Sequence, residues 1–180
     1  MTKNKETLKI LKYGNPLLRK KVSDIVDFSG LNSLINKMFL TMREENGIGL
    51  AANQIGESIN LLIVDSSTID EEEKKSYVFI NSKIIETEGS IIMEEGCLSV
   101  PEIRAEIQRP ESITIQFQDI DQNIKVEKFS SIISRVIQHE LAHLDGKYFI
   151  DYLTPSKRIL IQKRLLEISK SGKPSTGIII

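Results

Sequence analysis

Hydrophobic side chains recur at helical spacing in three segments of the chain. The first segment has apolar residues at the i, i+3, i+4, i+7 positions of an amphipathic helix, namely Leu31, Leu34, Ile35, Met38, Phe39 and Met42. Gly47 is the predicted stop of this helix, one face of which must be buried. A second helix is predicted over residues 130–144 and a third over residues 155–169. Thr154 and Pro155 form a favourable N-cap and first-turn pair for the third helix.

Five further segments have the pattern of β-strands: residues 59–65, 77–84, about 103–108, 113–119 and 124–129. In the fourth segment Ile113, Ile115 and Phe117 alternate with polar residues, and residues 121–123 predict a hairpin connection to the fifth. We therefore expect antiparallel ribbons with one covered face. Together with the helices they predict an α+β fold, in which residues 1–180 form one compact domain with antiparallel strands around a central helix and a C-terminal helix.

Composition agrees with one globular domain and narrows the possible partners. The 180 residues are 40% hydrophobic and 27% charged, and no apolar run approaches the ~18 residues that a bilayer span needs. We therefore expect a cytoplasmic protein that does not enter a membrane. The net charge of −1 provides no global field for nucleic acid. An acidic run at residues 70–73 predicts a solvated loop, whereas the C-terminal end is locally basic. Only Glu167 opposes its cations, which are Lys157, Arg158, Lys163, Arg164, Lys170 and Lys173.

Candidate chemistry is concentrated in the second predicted helix. His139 and His143 stand at i and i+4, so one helical turn brings both imidazoles to one face, where they can bind one metal ion. Glu140 lies beside the first of them and is close enough to handle the proton of an attacking water. Such a short motif also arises by chance on amphipathic helices. However, these are the only two histidines in the chain, which a solvated or core-filling role explains poorly.

A hydrolytic metal site needs a third protein ligand, and no third histidine exists. The candidates are Cys97, the only cysteine, or a carboxylate. A free cysteine is most commonly a small buried hydrophobe, but a thiolate with two imidazoles is a suitable set for Zn²⁺ or Fe²⁺. Beside it, Gly96 allows close backbone approach and Pro101 limits regular strand continuation. A lone thiol also excludes an internal disulfide and fits a reducing compartment.

The segment GIGLAANQ, residues 47–54, follows the first predicted helix. Its simplest interpretation is a glycine C-cap at Gly47 followed by a packed turn of small residues. A phosphate cradle is a poor interpretation because the segment has neither the Walker lysine nor a full GxGxxG. The small residues would let a peptide approach the backbone, and Gln54 offers a neutral donor for an oxyanion.

Three segments together resemble the peptide deformylase family: GIGLAANQ at 47–54, EGCLS at 95–99 and QHELAH at 138–143. The likeness extends from the first helix to the basic terminal helix. It implies a compact α+β fold and formyl-methionyl nascent peptides as substrates. It also implies one divalent metal ion, natively Fe²⁺, for which Zn²⁺, Ni²⁺ or Co²⁺ can substitute. The basic C-terminal helix would contact the ribosome near the exit of the nascent chain.

The resemblance also implies roles for individual residues. The metal ligands would be Cys97, His139 and His143. Glu140 would act as general base and then as general acid. Gln54 and the backbone N–H of Leu98 would hold the formyl oxygen as it becomes an oxyanion. The positions that match substrate contacts are Ile48, Gly49, Glu95, Gly96 and Val136, and His139 also borders the methionine pocket.

Two positions depart from the family pattern. Ala142 stands where the family usually has aspartate, which removes a polar contact near the site. Arg135 stands where we expect an apolar residue near the pocket rim, so it either alters selectivity or faces water.

Two other functions stay open at this point. A thermolysin-like protease would use Glu167 or another downstream carboxylate as third ligand, which leaves Cys97 and Gln54 without a role. A non-catalytic module would dock on ribosomes through the basic terminal helix, and the intact Glu140 argues against it.

Overall fold

A computed structural model describes residues 7–68 and 75–171 of the chain. The acidic run that predicts a solvated loop, residues 70–73, and Lys173 of the basic end lie outside the described residues. None of the helices in the described ranges combines the length and the apolar character that crossing a bilayer requires.

Within these ranges three α-helices form where the hydrophobic spacing predicts them. They are α1 (Leu31–Glu44), α2 (Ser131–Leu144) and α3 (Pro155–Ser171). The N-cap of α3 is confirmed, because the Thr154 hydroxyl accepts a hydrogen bond from the backbone N–H of Lys157 at 3.4 Å. The predicted glycine C-cap of α1 is wrong. Asn46 takes the left-handed conformation there, with φ 57°, and Gly47 does not. Gly47 is closely packed, since a Cβ there would lie 2.8 Å from Leu98 Cδ1 and 3.2 Å from Met42 Cγ.

The described strands form two antiparallel sheets. The larger sheet has the order β1-β2-β3-β6-β7, with β1 at Gly49–Ala51, β2 at Leu61–Asp65, β3 at Ser76–Glu88, β6 at Ser112–Gln118 and β7 at Ile124–Phe129. The smaller sheet is a ribbon of β4 (Ile91–Cys97) and β5 (Val100–Arg109), called the cysteine ribbon below. The hairpin between β6 and β7 is confirmed, with Gln122 in a left-handed turn position. Pro101 lies inside β5 and does not limit it, because a strand in a two-stranded ribbon has a free edge.

Both faces of β2 are covered, which explains its unbroken apolar run LLIV before Asp65. Leu61 and Ile63 belong to a cluster with α1, whereas Leu62 and Val64 pack in a second cluster with α2. A third cluster joins the cysteine ribbon to the segment after α2 and to α3; its members include Val100, Ile107, Tyr148, Phe149, Leu165 and Ile168. The fold is the expected single-domain α+β arrangement, with α2 at its centre.

The basic end of the chain is less unbalanced than its sequence indicates. Arg158 pairs with Asp151 at 3.2 Å, and Arg164 forms ion pairs with Glu102 and Glu167. The expectation that Glu167 alone opposes these cations is therefore wrong, because Asp151, just before α3, and the distant Glu102 also pair with them. Three lysines of this helix, Lys157, Lys163 and Lys170, are exposed.

Candidate metal centre

The inner face of α2 and the end of β4 meet at three buried side chains. His139 and His143 present their rings from successive turns of α2, with ring centroids 5.0 Å apart. Cys97 is the last residue of β4, where the pairing with β5 shifts register between Glu95 and Cys97, at Gly96. The Cys97 sulfur lies 3.0 Å from His143 Nε2. The potential ligand atoms of all three residues lie within 4.8 Å of one another.

This donor set fits a divalent metal ion. One sulfur and two imidazole nitrogens are ligands that Zn²⁺ and Fe²⁺ both accept. The Nδ1 atom of His139 is engaged by Glu95 Oε2 at 2.9 Å, which directs the other ring nitrogen away from that carboxylate. The rival third ligand, Glu167, lies on the exposed side of α3, where it pairs with Arg164 at 2.9 Å.

Glu95 is the hub of a buried polar network. It accepts hydrogen bonds from Arg109 Nε at 2.6 Å and Nη2 at 3.0 Å, from Arg135 Nη1 at 2.9 Å, and from His139. Burial opposes ionisation, but the hydrogen bonds from His139 and Arg109 outweigh it and hold the pKa of Glu95 far below its usual range. Glu95 is therefore a fixed anion that orients His139.

Arg109 is absent from the residues that the sequence analysis singles out. It continues the inward alternation of Ile103, Ala105 and Ile107 along β5, so extending the predicted strand by one residue would have placed it on the buried face. Charged residues seldom occupy such a face without a partner. An arginine at an inward-facing position of a predicted strand was therefore the sequence signal for a buried ion pair.

Of the two alternatives for Arg135, the one in which it faces water is wrong. Its side chain is only 1% exposed. Beyond its bond to Glu95, it donates to the backbone carbonyls of Ile107 at 3.0 Å and Ile91 at 2.7 Å. The guanidinium leaves α2 on the side that faces the cysteine ribbon, where those carbonyls provide acceptors.

Glu140 is buried between α2 and β1. A Cβ at Gly49 would lie 2.7 Å from Glu140 Oε1 and 2.6 Å from Val136 Cγ1, so only glycine lets the β1 backbone come this close. Burial raises the pKa of Glu140 to about 7, although the charge of His139 and a backbone hydrogen bond from Ala51 act in the opposite direction. Its Oε2 atom has no hydrogen-bond partner among the described residues. This carboxyl group can therefore exchange a proton near neutral pH.

The pKa values of the two imidazoles are shifted in opposite directions. Burial disfavours the charged ring of His139, but its hydrogen bonds to Cys97 and Glu95 raise its pKa to about 10. Burial and the neighbouring His139 charge lower the pKa of His143 well below its usual value. A cation bound by these side chains would displace the proton on His139, because metal-binding imidazole is neutral.

Gln54 and Leu98 both adjoin Cys97, the first through its side chain and the second along the chain. Gln54 sits in a short 3-10 helix, Ala52–Ile55, where its Oε1 accepts from the Ala51 N–H at 2.8 Å. That bond points the amide nitrogen toward Ser99 Oγ, at 3.2 Å, and toward the Cys97 sulfur, at 3.7 Å. Leu98 is buried directly after the cysteine.

Ile48 and Ala142 complete the residues that the sequence singles out. Ile48 is buried just before β1, and its carbonyl accepts from the Asp65 N–H at 2.8 Å. Ala142 is also buried. Together with Arg109 and Tyr152 it lines a cavity of about 220 Å³. A side chain longer than that of alanine at position 142 would extend into the cavity that Arg109 and Tyr152 also line.

Comparison with known proteins gives consistent matches over most of the chain. The sequence model of the polypeptide deformylase family matches residues 7–159. The peptide deformylase of Stenotrophomonas maltophilia strain K279a is 39% identical over 167 residues, which cover 91% of this chain and 96% of that protein. The peptide deformylase of Chlorobaculum tepidum is 43% identical over 166 residues, covering 91% and 88%. The crystal structure of peptide deformylase from Thermus thermophilus superposes with a TM-score of 0.85 at 36% identity, covering 91% of this chain and 98% of that chain.

Proposed function

The chain belongs to the polypeptide deformylase family, and from this premise we propose that it removes the N-formyl group of nascent peptides at the metal centre formed by Cys97, His139 and His143. One observation carries the proposal. The ligand atoms of these three residues converge within 4.8 Å of one another, beside a buried carboxyl group with a pKa of about 7.

We propose Fe²⁺ as the native metal, with Zn²⁺, Ni²⁺ or Co²⁺ able to substitute. A thiolate with two imidazoles accepts each of these ions, so the donor set supports the class of metal and the family supports iron. When bound, such an ion supplies Lewis-acid chemistry to the formyl oxygen and to water. Metal analysis of protein purified without oxygen tests this identity, and a preparation that holds only zinc would contradict it.

The protein's own groups carry the proton transfers. Glu140 takes a proton from the attacking water while the oxygen of that water bonds to the formyl carbon. The same carboxyl group then delivers a proton to the amine as the carbon–nitrogen bond breaks, which yields formate and a free N-terminus. The amide of Gln54 and the backbone N–H of Leu98 donate to the developing oxyanion. Glu95 acts through His139 by fixing the orientation of that ring.

The substrate peptide would lie along β1. This strand is at the edge of the larger sheet, so the backbone at Gly49 can pair with an extended peptide. Val136 lies against Gly49 and one helical turn before His139, which supports its place in the wall of the methionine pocket. The other pocket positions in this proposal are Ile48, Glu95 and Gly96.

Product analysis separates this activity from that of a protease. Metal-loaded protein is incubated with formyl-Met-Ala-Ser and with acetyl-Met-Ala-Ser, and the products are identified by mass spectrometry. We expect Met-Ala-Ser and formate from the first peptide and little reaction with the second. Cleavage between Met and Ala in either peptide would instead support the protease. Bound metal that survives Cys97→Ser but is lost in Glu167→Gln would also favour the protease.

We further propose that the enzyme works in the cytoplasm and contacts the ribosome through α3. The substrate emerges from ribosomes, and the chain's single cysteine fits a reducing compartment. Exposed lysines and the 83% exposed side chain of Leu160 give α3 a surface with charge and apolar area available for contact.

A further inference from the structure

We propose that Arg135 is a positioning residue that fastens the cysteine ribbon to helix α2 and so fixes the distance between Cys97 and the two histidines. This inference rests on the metal centre proposed above. It concerns what holds that centre together, and not which residues bind the metal.

The centre is divided between two parts of the fold. The histidines belong to α2, whose apolar face packs on the larger sheet through Val136 and Ile137. Cys97 belongs to the ribbon, whose strands pair with each other and form no ladder with the larger sheet in the described residues. The apolar side chains of the ribbon pack in the third cluster, with Tyr148 and Leu165. Neither sheet pairing nor these apolar clusters therefore join the ribbon directly to α2.

Arg135 reaches both strands of the ribbon from α2. Its Nη2 donates to the carbonyl of Ile91, the first residue of β4. Its Nη1 donates to the carbonyl of Ile107 on β5 and to the carboxylate of Glu95, two residues before Cys97. Because the side chain is 1% exposed, water has little access to replace these bonds.

The other polar contacts between the ribbon and α2 are single ones: the Gln138 amide donates to the carbonyl of Pro110, just after β5, at 2.9 Å, and His143 contacts the Cys97 sulfur at 3.0 Å. Arg109 also binds Glu95, but it lies on β5 and its guanidinium stacks over the Tyr152 ring at 4.5 Å, so neither contact reaches α2. His139 makes a single bond to Glu95 from α2. One guanidinium would be enough to balance the Glu95 charge, so a second buried cation is costly unless its hydrogen bonds are used. Here Nη1 and Nη2 bind the strand carbonyls of Ile107 and Ile91, while Nε has no partner among the described residues.

The predicted consequence is that Arg135 controls metal retention and turnover more than substrate affinity. We compare Arg135→Met, which keeps the apolar stem without donors, and Arg135→Lys, which keeps the charge with fewer directed donors. The matched control is Arg104→Met on β5. That side chain is 45% exposed and pairs with Glu94 at 3.2 Å, so the control removes an arginine from the same ribbon without touching the centre.

Each protein is loaded with Co²⁺. The dissociation constant for Co²⁺ is measured by competition with a chelator, and the thiolate-to-cobalt absorption band is recorded on the same samples. We expect Arg135→Met to bind Co²⁺ about 10- to 100-fold more weakly, the usual effect of losing an outer-shell partner. Its kcat should fall with little change in KM for formyl-Met-Ala-Ser. Arg135→Lys should lie between it and the parent, and Arg104→Met should match the parent.

Parent-like Co²⁺ affinity, absorption band and kcat in Arg135→Met would overturn the proposal, even if its melting temperature were lower. If Arg135→Met does not fold, Arg135→Lys decides in its place, and parent-like values there would likewise overturn it. Failure of the parent itself to bind Co²⁺ through the thiolate would instead refute the metal centre proposed above, which keeps the two failures distinguishable.

Discussion

At the residue scale, the surroundings of Cys97 distinguish a metal ligand from a free nucleophile. The sulfur contacts His143 Nε2 at 3.0 Å, the Ser99 N–H at 3.4 Å and the Gln54 amide at 3.7 Å. The residue is buried, so little of its surface is available to reagents. A nucleophilic cysteine requires an open approach to its sulfur, whereas a ligand requires neighbouring donors for the same ion. The second description fits these contacts.

We predict that metal protects Cys97 from thiol reagents, because coordination occupies the sulfur. Iodoacetamide labelling followed by mass spectrometry should be slow in both forms because the sulfur is buried, but faster after chelation, when each opening of the site exposes a free thiolate. Re-addition of Ni²⁺ to the same sample should restore protection, which serves as the control for damage by the chelator. Equal labelling rates with and without metal would show that Cys97 is not a ligand.

At the element scale, periodic segments were predictable and irregular ones were not. Helix α2 and strand β6 follow clear periods, because each covers one face of the core with a repeating set of apolar residues. Strand β1 has only three residues, all buried, so it has no alternation to detect. Strand β4 exposes Ile92 and buries Glu95, which reverses the expected pattern. Glu95 can be buried because Arg109 and Arg135 bind it, and neither arginine is its neighbour in sequence.

Within the site, residues on one helical turn were predictable from the sequence and partners far apart in the chain were not. Composition and spacing bring His139, Glu140 and His143 together because one helical turn fixes their geometry. The partners of Glu95 are not local, since Arg109 is 14, Arg135 40 and His139 44 residues away in sequence. The resemblance marks position 135 as unusual, but the sequence does not show that its guanidinium turns inward.

Asp151 joins three elements and gives a pH-dependent contribution to stability. It lies in the 3-10 helix Phe149–Tyr152, and it pairs with Arg19 of the 3-10 helix Pro16–Arg19 and with Arg158 of α3. Burial opposes its ionisation, but the hydrogen bond from Arg19 lowers the pKa of Asp151 below its ordinary value of 3.8. Below pH 3.8 the unfolded chain therefore binds more protons at this residue than the folded protein does. Stability from this group is present above that pH and is lost as the pH falls further.

We predict that Asp151→Asn removes this part of the acid sensitivity. The variant should be less stable than the parent at pH 7, and the difference in free energy of unfolding should shrink as the pH falls below 3.8. Urea unfolding of both proteins between about pH 7 and about pH 3 measures it. A difference that stays constant down to the lowest pH would contradict the assignment.

At the scale of the whole molecule, the charges of α3 divide into two groups. Arg158 and Arg164 are used in ion pairs within the fold. Lys157, Lys163 and Lys170 are exposed, and they form the part of the helix that can attract a polyanion. A test of ribosome contact should therefore change the lysines and leave the two arginines in place, so that lost binding is not confused with lost structure.

We predict that replacing these three lysines by glutamate weakens ribosome binding and reduces its salt dependence, because the contact with ribosomal phosphates is electrostatic. Co-sedimentation with ribosomes at several salt concentrations measures this. Hydrolysis of free formyl-Met-Ala-Ser should remain at the parent rate. A matched control replaces Lys9, Lys20 and Lys147, which are exposed elsewhere on the surface. Equal binding by parent, variant and control would remove α3 from the proposed contact.

The central claim is that Cys97, His139 and His143 hold the metal while Glu140 moves the protons. It is tested most directly by formate release from formyl-Met-Ala-Ser, with metal content measured on the same samples of parent and Glu140→Gln protein. The amide preserves the shape of the carboxyl group but cannot accept a proton, so turnover should fall at least ~100-fold, the usual lower share of general acid–base catalysis. Metal content should stay near one per chain in both proteins, whereas His143→Ala should lose metal and activity together. Glu140→Gln protein that is metal-free, or that releases formate at the parent rate, would contradict the account.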